Sequence, residues 1–258
     1  MLQQTQVSRV LQKYPQFLRR FPSFSSLARA RTSSVIRAWK GMGYNNRAIR
    51  LQQLARIVNT KYRGRLPESV EELQSLPGVG KYTAHALACI VFKQQVPVVD
   101  TNVKRVLVRL FPAESKRLGP WQLAELVLPG SNAHLWNQAL MDLGATICNS
   151  SNPTCDVCPV VKFCLSSFRV RRRNVIIKKR EPSHDGLPNR IYRGRIVDVL
   201  RHARQNSFVS LKRLGLQIKD SYSTHDEKWL VGLLKNLEKD GLLVLHNTKN
   251  GPAASLPL

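Results

Sequence analysis

The densest chemistry in the 258-residue chain is the stretch CNSSNPTCDVCPVVKFC, in which Cys148, Cys155, Cys158 and Cys164 are separated by six, two and five residues. Four thiolates joined by short loops can hold a [4Fe–4S] cluster, each cysteine binding one iron. A tetrahedral four-cysteine zinc site is the competing reading, and scattered structural cysteines are a third. Cys89, on the apolar stripe ALACIVF, reads as a core residue. A second signal is LPGVGKYTAHAL (76–87). A helix that stops at Pro-Gly-Val-Gly and restarts at once is a helix-hairpin-helix. It turns the backbone N–H groups around Gly78, Val79, Gly80 and Lys81 outward, and the two glycines permit left-handed dihedrals and close approach of a phosphate. The plain alternative is an interhelix turn and nothing more. In VPVVDTNVKRVL (96–107), Asp100 follows an apolar run and precedes a basic helix. A carboxylate there either caps the helix or faces a cationic transition state.

Composition narrows the partner. Lys and Arg number 41 against 16 Asp and Glu, a net charge of +25. A compact fold tolerates such self-repulsion best beside a polyanion, so nucleic acid is the expected partner; a merely basic soluble or ribosomal-type protein is the plain alternative. Residues 1–189 hold 29 basic and 10 acidic residues, and residues 190–258 hold 12 and 6. No stretch approaches the roughly 18 apolar residues of a membrane span, and no basic-then-apolar leader opens the chain. The expectation is a cytoplasmic, nucleoid-associated monomer without a membrane partner, in a compartment where five cysteines do not form a disulfide framework.

Helical apolar spacing runs from Met1 to about Cys164, and MLQQTQVSRV reads as the inside of a helix carrying closely spaced polar side chains. VEELQSL, YTAHALACIVF, NVKRVLVRLF and WNQALMDLGATIC each fit one apolar stripe. Residues 168–189 pack basic residues around few apolar ones and read as a linker. Beyond it, RGRIVDVLRHA, SFVSLKRLGLQI and HDEKWLVGLLKNLEKDG predict three helices, and LLVLH, NTKNG and ASLPL a terminal hairpin. This pattern suggests a winged helix whose third helix is capped by Thr224 or His225, stopped by Gly241, and presents Lys228 and Lys235 to a groove. A small helical dimerisation or packing module is the alternative.

Taken in order, MLQQTQV, GMGYNNRA, LPGVGKYTA, VVDTNVKRV, NQALMDLGATIC and the cysteine spacing resemble the helix-hairpin-helix DNA glycosylase superfamily that includes endonuclease III, and within it the MutY-type adenine DNA glycosylases. The resemblance covers Met1 to about Cys164. It implies a mainly α fold with two lobes, one of six helices carrying the hairpin and one holding a [4Fe–4S] cluster on Cys148, Cys155, Cys158 and Cys164, with DNA and a flipped base in the cleft between. The expected domains are 1–167 with the iron–sulfur loop at 148–164, the basic linker 168–189, and the winged-helix-like 190–258. Asp100 matches the carboxylate that stabilises the oxocarbenium-like sugar, and Asn102 a residue that helps hold it. Tyr82 stands where bifunctional members carry a lysine, which implies base removal without efficient strand scission; Lys81 is assigned a phosphate. Gln3, Gln4 and Tyr44 match residues that wedge into the duplex, Leu2 lines the base pocket, and Thr5 belongs to the same DNA-binding block. Lys104, Arg105, Arg109 and the run Arg171–Arg173 are expected to meet phosphates.

The implied activity is a monofunctional glycosylase of base excision repair acting on duplex DNA with a mismatch or oxidised base. Adenine opposite guanine or 8-oxoguanine is the expected target. A non-catalytic mismatch- or lesion-binding protein and a thymine or uracil mismatch glycosylase are the alternatives. In the family the general acid is a glutamate two residues before the methionine of MLQQTQ, a position outside these 258 residues. The expectation is that Met1 is an internal codon of a longer reading frame. The tail also departs from the family's usual C-terminal domain, which resembles a pyrophosphohydrolase and reads 8-oxoguanine.

Overall fold

The computed structural model describes residues 1–169, 181–205, 207–249 and 251–258; Arg171–Arg173 and most of the 168–189 linker lie outside them. The chain divides into two compact units, Met1–Leu66 with Lys179–Leu258, and Pro67–Lys178, each taken over its described residues. The hairpin and the cysteine loop both fall in the second of these units.

In the first unit, α1 (Val7–Arg20), α2 (Phe24–Arg29), α3 (Thr32–Ala38) and α4 (Asn46–Lys61) enclose Val10, Phe17, Phe21, Leu27, Val35, Trp39 and Met42. Ser23 starts α2 through a reciprocal capping box with Ser26. The helix expected from Met1 begins only at Val7. Gln4 has φ 55°, a left-handed conformation no helix interior accepts, and residues 2–4 are exposed, so their polar side chains are not burdened by burial.

In the second unit, α5 (Val70–Ser75), α6 (Lys81–Ile90), α7 (Thr101–Leu110), α8 (Pro112–Leu126) and α9 (Ala133–Thr146) precede two 3-10 turns, Cys155–Val157 and Val161–Phe163. α7, α8 and α9 pack around Val103, Val106, Leu107, Leu123 and Leu140. α8 bends at Gly119, φ 76°, immediately before Pro120, whose ring and missing N–H cannot continue a straight helix. Cys89 is fully buried, as its stripe predicts.

The C-terminal residues return to the first unit. A short ladder pairs β1 (Ser183–His184) with β2 (Leu187–Pro188), followed by α10 (Asn189–His202), β3 (Val209–Ser210), α11 (Leu211–Ile218), a 3-10 turn, α12 (Glu227–Lys239), β4 (Val244–Thr248) and β5 (Gly251–Ser255). The antiparallel sheet has the order β3-β5-β4. Their core, built on Ile196, Leu200, Leu214, Leu230 and Leu234, also takes in Ile36 and Ile49. The buried Arg201 ties α10 to α3 and α4 by donating to the Ile36 carbonyl and Asn45 Oδ1 while pairing with Asp198. Ser223, not Thr224 or His225, opens the α12 region, in a capping box with Asp226. Gly241 stops that helix at φ 72°, a left-handed position that favours glycine.

Candidate DNA-processing site

Asp100 is the N-cap of α7, the first of the two roles its position suggested. One carboxylate oxygen accepts the Val103 N–H at 2.7 Å, and the other accepts the Asn102 side-chain amide at 3.0 Å. Asn102 is fixed in turn: its Oδ1 accepts from Arg105 at 2.8 Å, and Arg105 also donates to the Gly144 and Cys148 carbonyls at 2.6 and 2.8 Å. Gly144 is required by this contact, because an added Cβ would sit 2.7 Å from Asn102 Cβ. Each hydrogen bond to the carboxylate limits its rotation. Arg105 is therefore committed to protein acceptors, not to the phosphate assigned from the sequence.

Tyr82, in the first turn of α6, approaches the same carboxylate. Burial, then the Asp100 charge, pushes its phenol above the ordinary tyrosine value, so it stays a neutral O–H at physiological pH. A phenol cannot form the Schiff base that a lysine would form with an opened sugar. Within the hairpin only Gly78 is left-handed, φ 80°. Gly80 is extended and starts α6 without a side-chain cap, and a Cβ there would meet nothing within 4 Å. Val79 is buried at the turn. The start of α6 is thus open to an anion. Lys81 carries its ammonium 4.4 Å over the Trp121 ring, a cation–π contact the sequence did not reveal.

Cys148, Cys155, Cys158 and Cys164 line one pocket, together with Arg109 and Val161. Four cysteines gathered on one pocket are a donor set suited to a thiolate-bound metal centre, whether an iron–sulfur cluster or zinc. Arg109 closes the loop: it donates to the Cys148, Asn149 and Ser150 carbonyls and lies 3.3 Å from Cys148 Sγ. It too is occupied within the protein and unavailable to a phosphate, whereas Lys104 is exposed.

In the other unit, the Leu2–Thr5 and Met42–Tyr44 segments meet through Arg47, a residue sequence reasoning missed. Its guanidinium donates to the carbonyls of Met1 (2.8 Å), Gln3 and Met42 (2.8 Å), and to Thr5 Oγ1 (2.7 Å). Thr5 Oγ1 itself donates to the Met42 carbonyl at 3.1 Å. The Arg47 guanidinium lies 5.3 Å from the Trp39 ring centroid and 5.7 Å from that of Tyr44. Tyr44, at φ 42°, and Leu2 are more than half exposed, at 57% and 60%. The fork of one arginine thus converts two irregular segments into a platform of outward-facing side chains. The only sequence signal was an arginine three residues beyond Tyr44.

Residues 1–122 match the HhH-GPD superfamily of base excision DNA repair proteins. An adenine DNA glycosylase of Mycolicibacterium smegmatis is 39% identical over 210 residues, covering 78% of this chain and 69% of that protein. The adenine DNA glycosylase of Homo sapiens is 41% identical over 185 residues, covering 68% of this chain but 34% of its own length. Among solved structures, a thermostable thymine-DNA glycosylase superposes with TM-score 0.61 at 33% identity, over 66% of this chain and 81% of that one. A trapped endonuclease III–DNA covalent intermediate superposes with TM-score 0.58 at 23% identity, over 64% and 79%, which speaks to fold alone. With its hairpin, capped carboxylate and four-cysteine loop, the chain belongs to the HhH-GPD superfamily of base excision DNA repair proteins, alongside the adenine DNA glycosylases.

Proposed function

We propose that this chain is the catalytic body of a monofunctional DNA glycosylase that removes adenine mispaired with guanine or 8-oxoguanine in base excision repair. The observation that carries this is the Asp100 carboxylate, held at the start of α7 by the Val103 N–H and the Asn102 amide, with a tyrosine at the hairpin position. Cleavage of the glycosidic bond leaves positive charge on the sugar. A carboxylate already oriented and hydrogen-bonded stabilises that charge without reorganising. Asn102 and Arg105 keep it from turning away, and Tyr82 supplies a neutral donor but no amine nucleophile. The Leu2–Thr5 and Tyr44 platform offers exposed side chains to fill a space left in a duplex by base flipping. Relatives named adenine DNA glycosylase do not favour a non-catalytic binder or a thymine or uracil glycosylase.

The gathering of all four cysteines on one pocket supports a [4Fe–4S] cluster on Cys148, Cys155, Cys158 and Cys164. Such a cluster brings a compact charged group that cross-links the loop, while Arg105 and Arg109 join that loop to α7. Three helices and the β3-β5-β4 sheet support a winged-helix module at 190–258, following a linker at 168–189 and a glycosylase region at 1–167. A monomer acting on nucleoid DNA is the working state. Among the described residues no helix is long and apolar enough to cross a membrane.

The test is a panel of duplexes holding A:8-oxoguanine, A:G, T:G and U:G pairs, run on these 258 residues and on the reading frame extended upstream of Met1. Release of adenine without efficient borohydride trapping on abasic DNA is expected. Preferential release of thymine or uracil, or an efficient covalent adduct, overturns the assignment. For the metal, about four irons per chain in anaerobically prepared protein is expected, and stoichiometric zinc rejects the cluster.

A further inference from the structure

The expected winged-helix reading places DNA against α12, but the exposed face of that helix is electrically mixed. Lys228, Lys235 and Lys239 are interleaved with Glu227 and Glu238, all exposed. The concentrated positive charge of the C-terminal residues lies elsewhere. A broad open groove of about 720 Å3 runs between the outer faces of α10 and α11 and the β3 strand, lined by Arg195, His202, Arg204, Phe208, Arg213 and Gln217. Its one carboxylate, Asp198, is engaged by the buried Arg201 guanidinium at 2.6 Å. Among the described residues, Arg204 and Arg213 are exposed and form no ion pair.

Two further contacts shape the rim. Lys40, from the end of α3, brings its ammonium 2.9 Å from His202 Nε2, and His202 Nδ1 lies 2.7 Å from the Asp198 carbonyl. This adds a fourth cation to the three arginines. Phe208 is 56% exposed, with its ring 4.3 Å from that of His246. Its apolar face beside the cations suits the sugar faces between successive phosphates. A guanidinium without a protein carboxylate, in a groove open along its length, is matched in charge and shape by a chain of phosphates.

We propose that this α10–α11 groove, and not the α12 face, is the second DNA-binding surface of the chain, and that it grips the phosphate backbone without reading sequence. The inference rests on the reading that DNA is the substrate.

The experiment measures binding of the 258-residue chain to an undamaged duplex of about 30 base pairs by fluorescence anisotropy, from 50 to 300 mM salt. Two doubly substituted proteins carry the same charge change: Arg204→Gln with Arg213→Gln in the groove, and Lys228→Gln with Lys235→Gln on α12. Each lost phosphate contact lowers the slope of log affinity against log salt by about 0.9, so the groove variant is expected to lose about 1.8 in slope and roughly 30-fold in affinity near 0.15 M salt. The α12 variant is expected to stay within about twofold of the parent. An α12 loss equal to or greater than the groove loss, or a groove variant with the parent's affinity and slope, overturns the proposal while leaving DNA as the substrate. A parent chain that binds no duplex overturns both.

Discussion

Gly144→Ala tests whether the carboxylate depends on its support from behind. The added Cβ would lie 2.7 Å from Asn102 Cβ and 3.1 Å from Asn102 Cα and carbonyl carbon, roughly 1 Å inside the optimum separation of about 3.5–4.0 Å for carbon atoms. These neighbours are backbone and first side-chain atoms, so no rotamer change relieves the clash; α9 and the start of α7 must part. Overpacking of this kind costs about 1–3 kcal/mol, offset by about 1 kcal/mol from the better helix propensity of alanine. The net loss of stability is therefore small, at most about 2 kcal/mol. The effect on chemistry is larger, because a displacement near 1 Å in a catalytic constellation costs about 100-fold in rate. Single-turnover excision with enzyme in excess, well below the melting temperature, separates the two. A drop of about two orders of magnitude with a shift of only a few degrees in Tm is expected. Parental single-turnover rate in the alanine variant would refute the coupling of Gly144 to Asp100 through Asn102.

Arg47→Lys replaces a planar fork with a single ammonium that cannot serve the Met1, Thr5 and Met42 acceptors together. Losing one charge-assisted hydrogen bond, about 1.5 kcal/mol, corresponds to about tenfold. That reduction is expected in the ratio of mismatch to matched-duplex binding, and an unchanged ratio contradicts the platform. Asp226 accepts from Lys219, from the Ser223 N–H and from His184, with Lys219 the largest influence, and these hold its carboxyl well below the ordinary range. A depressed carboxylate contributes stability above its unfolded pKa of about 3.9 and loses it as pH falls further. Asp226→Asn is therefore expected to lower Tm at neutral pH, with the gap narrowing as pH drops below about 4. A gap independent of pH contradicts the ion network.

The hairpin and the α7 start were legible in the sequence because each is local. Pro77-Gly78-Val79-Gly80 can only stop one helix and start another, and Asp100 stands three residues before the N–H it accepts. The C-terminal helices were legible from apolar spacing for the same reason. Met1–Gln6 was misread as helix because its turn is imposed from outside: Arg47, over forty residues away, gathers the carbonyls that a helix would have used internally. Arg105 and Arg109 looked like phosphate ligands because sequence shows charge but not the carbonyls of Gly144 and Cys148 that consume it. The Lys81–Trp121 contact and the cap at Ser223 were missed for similar reasons, one spanning forty residues and the other decided between neighbouring hydroxyls by backbone geometry.

The most direct measurement is single-turnover release of adenine from an A:8-oxoguanine duplex by the parent protein and by Asp100→Asn, in the reading frame that supports excision. The asparagine is nearly isosteric, can still accept the Val103 N–H, and removes the negative charge. Excision is expected to fall by several orders of magnitude while duplex binding stays within a few-fold. Release at the parental rate by Asp100→Asn would contradict the role given to this carboxylate and the mechanism built on it.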